Sequence, residues 1–242
     1  MASYNSRGHA LDRIRYIDRL LDECDIVLLQ DWELHKLTEK DNISVLGISG
    51  MDPQRPIAGR PYGGCALLFN SRLKIAVANV ATESRRLFAC TVTLNSSVKI
   101  ILCSVYMPCD SHTLHDSDEF SVVLSEIDSV IALHDDIDFV LLGGDFNVDI
   151  SRVGSSHLRM LEEFCNSHSL IFCHSLHLSN VDYTYKNEFT GVQSTLDHFI
   201  VSKNLLNSIV LYSTRHDGDN ISDHDPVFLE LNFDVSFFSS GE

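Results

Sequence analysis

The pattern of apolar and polar positions predicts a chain built mainly of short strands. Apolar residues recur at helical spacing in the segment that ends near Cys24, and again across residues 119–134 and 155–166, where Ser155 or Ser156 is the expected cap. Short apolar or alternating runs, too rich in β-branched residues for helices, predict strands. These runs are residues 25–30, 44–48, 64–69, 74–81, 87–94, 99–106, 139–142, 170–173, 196–201, 209–213 and 227–231. Many strands with few helices between them favour two packed mixed β-sheets flanked by helices.

The composition adds expectations about domain number and location. A chain of 242 residues without a linker-like or low-complexity tract is expected to form one domain over residues 1–242. Its first residues lack the apolar core of a signal peptide, and no run approaches the roughly 18 apolar residues that span a bilayer. We therefore expect an intracellular protein with no membrane partner. The seven cysteines lack C-x-x-C spacing and are interpreted as reduced core residues.

The net charge of −16 argues against nonspecific binding of a phosphate backbone by overall charge. A local cluster of arginines, or metal ions in a carboxylate pocket, can still give an acidic protein one positive face. The candidate arginines are Arg7, Arg13, Arg15, Arg60, Arg85, Arg86, Arg152 and Arg159. Arg7 and Arg85 are taken as candidate substrate-binding residues.

Polar side chains that can bind metal or phosphate lie near the ends of apolar strands at five places. They are Asn5, Asp31, Asp145 with Asn147, Asp197, and Asp223 with His224. A single carboxylate of this kind is usually a solvated loop residue. Several that converge on one end of a sheet sandwich would form an oxygen-rich pocket suited to Mg²⁺, a hard cation. The other eleven histidines, His216 among them, are interpreted as surface or packing residues.

Six short motifs with polar residues near strand ends follow one another along the chain. They are Y-N-S-R-G (4–8), D-I-V-L-L-Q-D (25–31), V-Y-M-P (105–108), G-G-D-F-N (143–147), S-T-L-D-H (194–198) and S-D-H (222–224). Each motif is weak alone, but six in this order across nearly the whole chain strongly resemble the endonuclease/exonuclease/phosphatase superfamily. The stretches G-I-S-G-M-D (47–52), G-R-P-Y-G-G-C-A (59–66) and H-D-G-D-N-I-S-D-H (216–224) resemble the endonuclease region of non-LTR retrotransposon polyproteins. The resemblance implies a four-layer α/β sandwich.

The resemblance also implies a metal site. Asp31 would bind Mg²⁺, with Mn²⁺ as the alternative ion, and Asn5 would orient that carboxylate. Asp223 would be an outer or alternative metal ligand. Relatives normally carry Glu where this chain has Asp31, so metal binding is expected to be weaker unless nearby Glu33 compensates. An Arg common in relatives is also missing, because Thr195 occupies the second position of the S-T-L-D motif.

The same resemblance assigns roles around the phosphate. His224 would contact the scissile phosphate or act as general acid or base, with Asp197 fixing its tautomer. Asp145 would position the attacking water, and Asn147 would donate to a phosphate oxygen. Tyr106 would lie in the same pocket as a hydroxyl donor, although a strand-end aromatic with only a packing role is an equal alternative.

Three functions remain open on the sequence. The leading hypothesis is an endonuclease that nicks DNA and leaves a 3′-hydroxyl, acting in the nucleus if genomic DNA is its substrate. The second is a phosphatase or phosphodiesterase for a small phosphorylated substrate or an RNA 3′ end, which the acidic charge favours. The third is a catalytically weakened remnant. The oligomeric state, and whether the chain is part of a reverse-transcriptase polyprotein, stay open.

Overall fold

A computed structural model describes residues 1–7, 11–32, 38, 40–50, 63–94, 97–110 and 114–233, without the side chains of residues 11, 12 and 114–116. The helices are α1 (Leu11–Glu23), α2 (Leu114–Ala132) and α3 (Ser156–Ser167). The strands are β1 (Ala2–Asn5), β2 (Ile26–Gln30), β3 (Ile43–Ser49), β4 (Gly64–Asn70), β5 (Ile75–Val80), β6 (Leu87–Leu94), β7 (Val98–Tyr106), β8 (Phe139–Asp145), β9 (Leu170–Phe172), β10 (Ser179–Asn180), β11 (Tyr185–Lys186), β12 (Gln193–Ser194), β13 (Asp197–Ser202), β14 (Ile209–Thr214) and β15 (Val227–Leu231). Two 3-10 turns cover Cys173–Ser175 and Lys203–Ser208.

The strands form two large mixed sheets, as the sequence pattern predicts. One has the order β10-β14-β15-β1-β2-β4-β3, and the other has the order β5-β6-β7-β8-β13-β9. Among the strands that the structure describes, the first sheet contains two parallel pairs, β1 with β2 and β10 with β14, and the second contains one, β7 with β8. The other pairings are antiparallel. Strands β11 and β12 make a separate small hairpin. None of the described helices is long and apolar enough to cross a membrane.

Three apolar clusters hold the layers together. The central one lies between the sheets and includes Leu28, Leu67, Leu102, Leu141 and Phe199, all nearly inaccessible to solvent. A second cluster buries one face of α1 against the first sheet, and a third buries α2 and α3 against the second sheet. Burying one such side chain stabilises a fold by about 1.5–3 kcal/mol relative to exposure. The layers are therefore helix, sheet, sheet and helix, and the predicted four-layer α/β sandwich is confirmed.

Strand register places the candidate residues at one edge of the sandwich. In the second sheet Tyr106 pairs with Asp145, and Asp145 pairs with Asp197, so three neighbouring strands carry a polar residue at the same level. Gly144 lets β7 approach, because a Cβ there would collide with the carbonyl of Val105. At Gly143 a Cβ would meet the Phe199 ring of the adjacent strand and the Leu28 side chain of the other sheet, so this glycine permits the close packing between the sheets.

Several sequence expectations need correction or lie outside the described residues. Six cysteines are buried and free, but Cys109 is exposed, so its interpretation as a core residue is wrong. It follows Pro108 beyond the end of β7, where the chain leaves the sheet for the surface. Helix α2 covers Leu114–Ala132, so it begins before the predicted start at residue 119 and ends before residue 134, and Ser155 is the observed cap of α3. Glu33 and Arg60 lie outside the described residues.

Candidate active site

A cavity of 440 Å³ opens at the edge where the polar strand ends meet. Both sheets contribute to it: β1 and β2 end there in the first sheet, and β7 and β8 end there in the second. Its lining consists of Asn5, Arg7, Asp31, Tyr106, Cys109, Asp145, Asn147, Tyr185, Leu196, Asp223 and His224. Eight residues predicted from the sequence therefore share one cavity.

Asp145 lies at the centre of the site and is only 1% exposed. The Asn5 side-chain amide donates to its Oδ2 at 2.8 Å, which ties the two sheets together across the cavity. The backbone N–H of Asn147 donates to Oδ1 at 2.9 Å. Because two donors fix the two carboxylate oxygens, the orientation of Asp145 is set before any substrate binds. Asn5, expected to orient Asp31, thus orients Asp145.

A buried histidine–aspartate pair stands beside Asp145. Nδ1 of His224 donates to Oδ2 of Asp197 at 2.9 Å, and its Nε2 faces Oδ2 of Asp145 at 3.8 Å. Asp197 does not line the cavity but lies behind His224. The Thr184 hydroxyl donates to the same Asp197 oxygen at 2.7 Å. This threonine also accepts the backbone N–H groups of Leu196 and Asp197, so the strand start is anchored on it.

The electrostatics separate the two titrating groups. Burial raises the pKa of Asp145 to about 7, although the adjacent His224 opposes the rise. Burial lowers the pKa of His224, but the carboxylates of Asp197 and Asp145 outweigh that effect and bring it to about 9. Near neutral pH, Asp145 is therefore able to accept a proton while His224 is cationic. An acid and a base with separated pKa values are what proton-transfer catalysis requires.

Three residues of the cavity adopt left-handed backbone conformations. The φ angles are 51° for Arg7, 56° for Asp31 and 50° for Asn147. Asp and Asn tolerate this region better than other residues with side chains. An arginine tolerates this region less well, and two contacts hold Arg7 in it. Its backbone N–H donates to Oδ1 of Asn5 at 2.9 Å, and its guanidinium pairs with Asp223 at 2.7 Å. Unfavourable backbone geometry at three points of one cavity is typical of functional sites.

The Tyr106 ring is held in place by Arg86, which does not line the cavity. The Arg86 guanidinium lies 5.3 Å from the centre of its ring, and Arg86 is itself held by the Glu119 carboxylate at 2.7 Å. Burial, together with the charges of Asp31 and Asp145, raises the pKa of Tyr106. Its hydroxyl therefore stays protonated at neutral pH and can serve as a hydrogen-bond donor.

The donor set of the cavity suits a hard divalent cation. Asp31, Asp145 and Asp223 supply carboxylates to the lining. Oδ1 of Asp223 is buried and has no hydrogen-bond partner among the described residues, which is costly unless a cation satisfies it. One oxygen each from Asp145 and Asp197 and one nitrogen of His224 also lie within 4.8 Å of one another. Oxygen-rich sites of this kind take Mg²⁺ or Mn²⁺ rather than softer metals.

Arg85 is one predicted residue that the structure does not bring to the cavity. It lines a separate cleft of 850 Å³, where its guanidinium donates weakly to the Ser49 carbonyl. Cys109, Tyr185, Leu196 and Thr184 belong to the site or its support but were not predicted. Two of them have a sequence signal, because Cys109 stands directly after the V-Y-M-P motif and Leu196 lies within the S-T-L-D-H motif.

Over residues 2–224, the sequence matches the model of the Endonuclease/Exonuclease/phosphatase family. The chain belongs to this family. Members of the Endonuclease/Exonuclease/phosphatase family are hydrolases of phosphoester bonds, and the family expected from the motif order is thereby confirmed. None of the curated protein sequences gives a match to the chain.

Solved structures of the Endonuclease/Exonuclease/phosphatase fold superpose over almost the entire chain. The endonuclease domain of TRAS1, a telomere-specific non-LTR retrotransposon, is 15% identical with a TM-score of 0.72, covering 96% of this chain and 97% of that one. The 3′ phosphatase NExo from Neisseria, bound to product DNA hairpin, is 17% identical with a TM-score of 0.69, covering 96% and 98%. The Bacteroides thetaiotaomicron mannosyl-6-phosphatase Bt3783 is 17% identical with a TM-score of 0.65, covering 96% and 98%. At these identities the likeness concerns the fold.

Proposed function

We propose that this chain is a divalent-metal-dependent phosphodiesterase that nicks DNA. The observation that carries the proposal is the arrangement of Asp145 and His224. The two side chains face each other across 3.8 Å, and their pKa values are about 7 and about 9. A general base and a cationic imidazole on one cavity wall match the needs of phosphodiester hydrolysis, in which a proton leaves water as charge builds on the phosphate.

In this mechanism the side chains of the cavity act on one phosphate. Asp145 accepts a proton from a water whose oxygen attacks phosphorus, and the bond from phosphorus to the 3′ oxygen breaks. The departing 3′ oxygen takes a proton from solvent water and becomes the 3′-hydroxyl. Nε2–H of His224 donates to a phosphate oxygen, with Asp197 holding the ring. Asn147 has one amide hydrogen bonded to Met107 at 2.8 Å, while its contact with Asp145 is looser at 3.4 Å and can turn to the phosphate. The hydroxyl of Tyr106 is a further donor from the cavity wall.

The proposed metal position is beside Asp31. Asp31, with Asp223 and the oriented Asp145 close by, would hold Mg²⁺ or Mn²⁺. A divalent cation bound there would offset negative charge on the phosphate and on the leaving oxygen. Arg7, already paired with Asp223, is the cation placed to meet the next phosphate along a strand.

DNA is the favoured substrate for two reasons. The connecting segments of the sequence resemble retrotransposon endonucleases, and the TRAS1 endonuclease domain is among the structural neighbours. NExo, another neighbour, is described with a product DNA hairpin. An enzyme that nicks genomic DNA would work in the nucleus.

A plasmid assay tests the proposal directly. Supercoiled plasmid incubated with Mg²⁺ is expected to yield nicked circles with wild type, at a rate at least about a hundredfold lower with His224→Ala, and none above background with chelator. The matched control is His177→Ala, which alters an exposed histidine away from the cavity and should nick at the wild-type rate. Equal nicking by wild type and His224→Ala would refute the proposed activity.

A second candidate is hydrolysis of a small phosphorylated substrate or of an RNA 3′ end. The net charge of −16 favours it, as does the presence of a single arginine, Arg7, in the described cavity lining. The sugar-phosphatase neighbour shows that the fold accommodates such chemistry. Phosphate release from a panel of inositol phosphates, nucleotides and sugar phosphates, without plasmid nicking, would select this candidate.

A further inference from the structure

We propose that His216 is a positioning residue that bridges two carboxylates and thereby holds together the two segments that carry the His224–Asp197 pair. The inference rests on the proposed function, because it concerns the geometry of the same catalytic pair. It also changes the interpretation of His216, which the sequence presents as an ordinary surface histidine.

The bridge is defined by short contacts on both sides of the ring. Nδ1 of His216 lies 2.7 Å from Oδ2 of Asp225, and Nε2 lies 3.0 Å from Oδ1 of Asp182. The Tyr183 ring stacks on the imidazole, with centroids 4.1 Å apart and an angle of 14° between the planes. Two hydrogen bonds and one stacking contact therefore fix the position and the plane of the ring.

This geometry requires the doubly protonated form of the ring. A carboxylate accepts hydrogen bonds, so both nitrogens donate only when both carry a proton. The environment agrees. Burial lowers the pKa of His216, but the hydrogen bonds to Asp225 and Asp182 outweigh it and the pKa is raised. Arg215, the adjacent cation in sequence, is directed instead to Glu23 and Asp217.

Each carboxylate of the bridge leads to one half of the catalytic pair. Asp182 stands two residues before Thr184, whose hydroxyl donates to Asp197, and the Asp182 carbonyl accepts the Thr195 hydroxyl at 3.1 Å. On the other side, Asp225 directly follows His224 in the chain. Hydrogen bonds and short stretches of chain therefore connect His216 to Asp197 through Asp182, and connect His216 to His224 through Asp225. The hydrogen bond between His224 and Asp197 closes this loop.

A second connection joins the Asp225 side to the backbone of His224. The side-chain amide of Asn220 donates to Oδ1 of Asp225 at 3.0 Å and to the His224 carbonyl at 2.8 Å. Displacement of Asp225 would therefore move the backbone that carries the imidazole. A small displacement of a reacting group is enough to cost a large factor in rate.

The fold itself does not depend on this bridge. The same two segments are joined by backbone hydrogen bonds, from Asp225 to the Thr184 carbonyl at 2.7 Å and from Lys186 to the Asp223 carbonyl at 2.9 Å. Loss of His216 should therefore leave the segments paired but less firmly held. We expect the loss of His216 to change the relative position of His224 and Asp197 without unfolding the protein.

Two substitutions distinguish a role for the positive charge of His216 from a role for its ring as a packing group. His216→Gln removes the charge, whereas His216→Arg keeps it and can donate to both carboxylates. In the nicking assay, His216→Gln should lower kcat roughly tenfold with KM changed less than about twofold, because His216 lies outside the cavity. His216→Arg should recover most of the loss, and His177→Gln, at an exposed position, should match wild type.

A spectroscopic readout tests the bridge without any substrate. The Nδ1–H proton of His224, bonded to Asp197, should give a downfield proton resonance that disappears in His224→Ala. That resonance should broaden or move in His216→Gln and persist in His216→Arg. If it stays unchanged in His216→Gln, or if His216→Arg behaves like His216→Gln in both measurements, the bridge is refuted. If wild type hydrolyses nothing, the proposed function fails and the resonance alone decides the role of His216.

Discussion

Nδ1 of His224 donates a hydrogen bond to Oδ2 of Asp197 at 2.9 Å, and both side chains are buried. This contact assigns the remaining nitrogen, Nε2, to the cavity, where it faces Asp145. Because the Asp197 carboxylate also accepts a hydrogen bond from the Thr184 hydroxyl, it cannot rotate freely. The folded structure therefore fixes the direction in which the Nε2–H of His224 points, before any substrate binds.

Replacing Asp197 by Asn should cause a large loss of activity with little effect on substrate affinity. The neutral amide removes the negative charge that keeps the imidazole cationic, so the pKa of His224 falls and the ring is neutral over more of the working pH range. The Nε2–H of a neutral ring is a weaker hydrogen-bond donor to the phosphate. We expect kcat to fall about a hundredfold or more, with KM within about threefold of wild type. Steady-state nicking kinetics measure both constants. Asp135→Asn, an exposed substitution, is the control, and equal activity of the two variants would contradict the assigned role.

The pH dependence of hydrolysis should be bell-shaped. Activity needs Asp145 deprotonated, so it rises through a pKa of about 7. It also needs His224 protonated, so it falls through a pKa of about 9. Higher Mg²⁺ should move the acid limb to lower pH, since a nearby cation favours the ionised carboxylate. Initial rates across this range, with kcat/KM plotted against pH, test the assignment, and an alkaline limb that persists in His224→Ala would disprove it.

His224 should also make the stability of the fold depend on pH. Its folded pKa of about 9 lies above the ordinary 6.5, so its protonation stabilises the folded state below about pH 6.5, and this contribution disappears as pH rises through 9. The expected contribution at low pH is about 3 kcal/mol. Denaturant melts of wild type and His224→Asn should therefore differ more near pH 6 than near pH 10. A difference that is the same at both pH values would count against the raised pKa.

Asp31→Asn should remove metal binding without harming the fold. Asp31 has a φ of 56°, and Asn tolerates this region at least as well as Asp. In chelator the melting temperature should therefore stay close to that of wild type. With Mg²⁺ in about tenfold excess over its Kd, wild type should gain about 3 °C or more and the variant almost nothing. A wild type that gains no stability from Mg²⁺ or Mn²⁺ would support the weakened-remnant alternative.

Much of the fold can be predicted from apolar runs and helix caps in the sequence. The runs that became β6, β7 and β8 are apolar because both sheet faces are covered there, and Ser155 caps α3 through its own hydroxyl. Strands β10, β11 and β12 have two residues each, too few for any periodicity to appear. Strand β10 exists because it pairs with β14, and β11 and β12 pair with each other in a hairpin.

Some residues of the candidate site can likewise be predicted from the sequence, and others only from the structure. Asp145, Asn147 and His224 stand in recognisable motifs next to apolar runs, so the sequence points to them. Thr184 is one threonine in a polar stretch, and only the folded register shows that it holds Asp197. Arg85 and Arg86 look equivalent in sequence. Both lie in a turn and line the separate cleft, and the folded structure is needed to show that the Arg86 guanidinium lies over the Tyr106 ring.

The most direct test of the account is a kinetic cycle on one DNA substrate. Single-turnover nicking of supercoiled plasmid would be measured with wild type, Asp145→Asn, His224→Ala and the double variant, and the ends of the nick would be analysed. If the two residues act as one unit on one phosphodiester, each single variant loses at least about a hundredfold, the double variant loses little more, and wild type leaves a 3′-hydroxyl. Wild-type rates in either single variant would contradict the account.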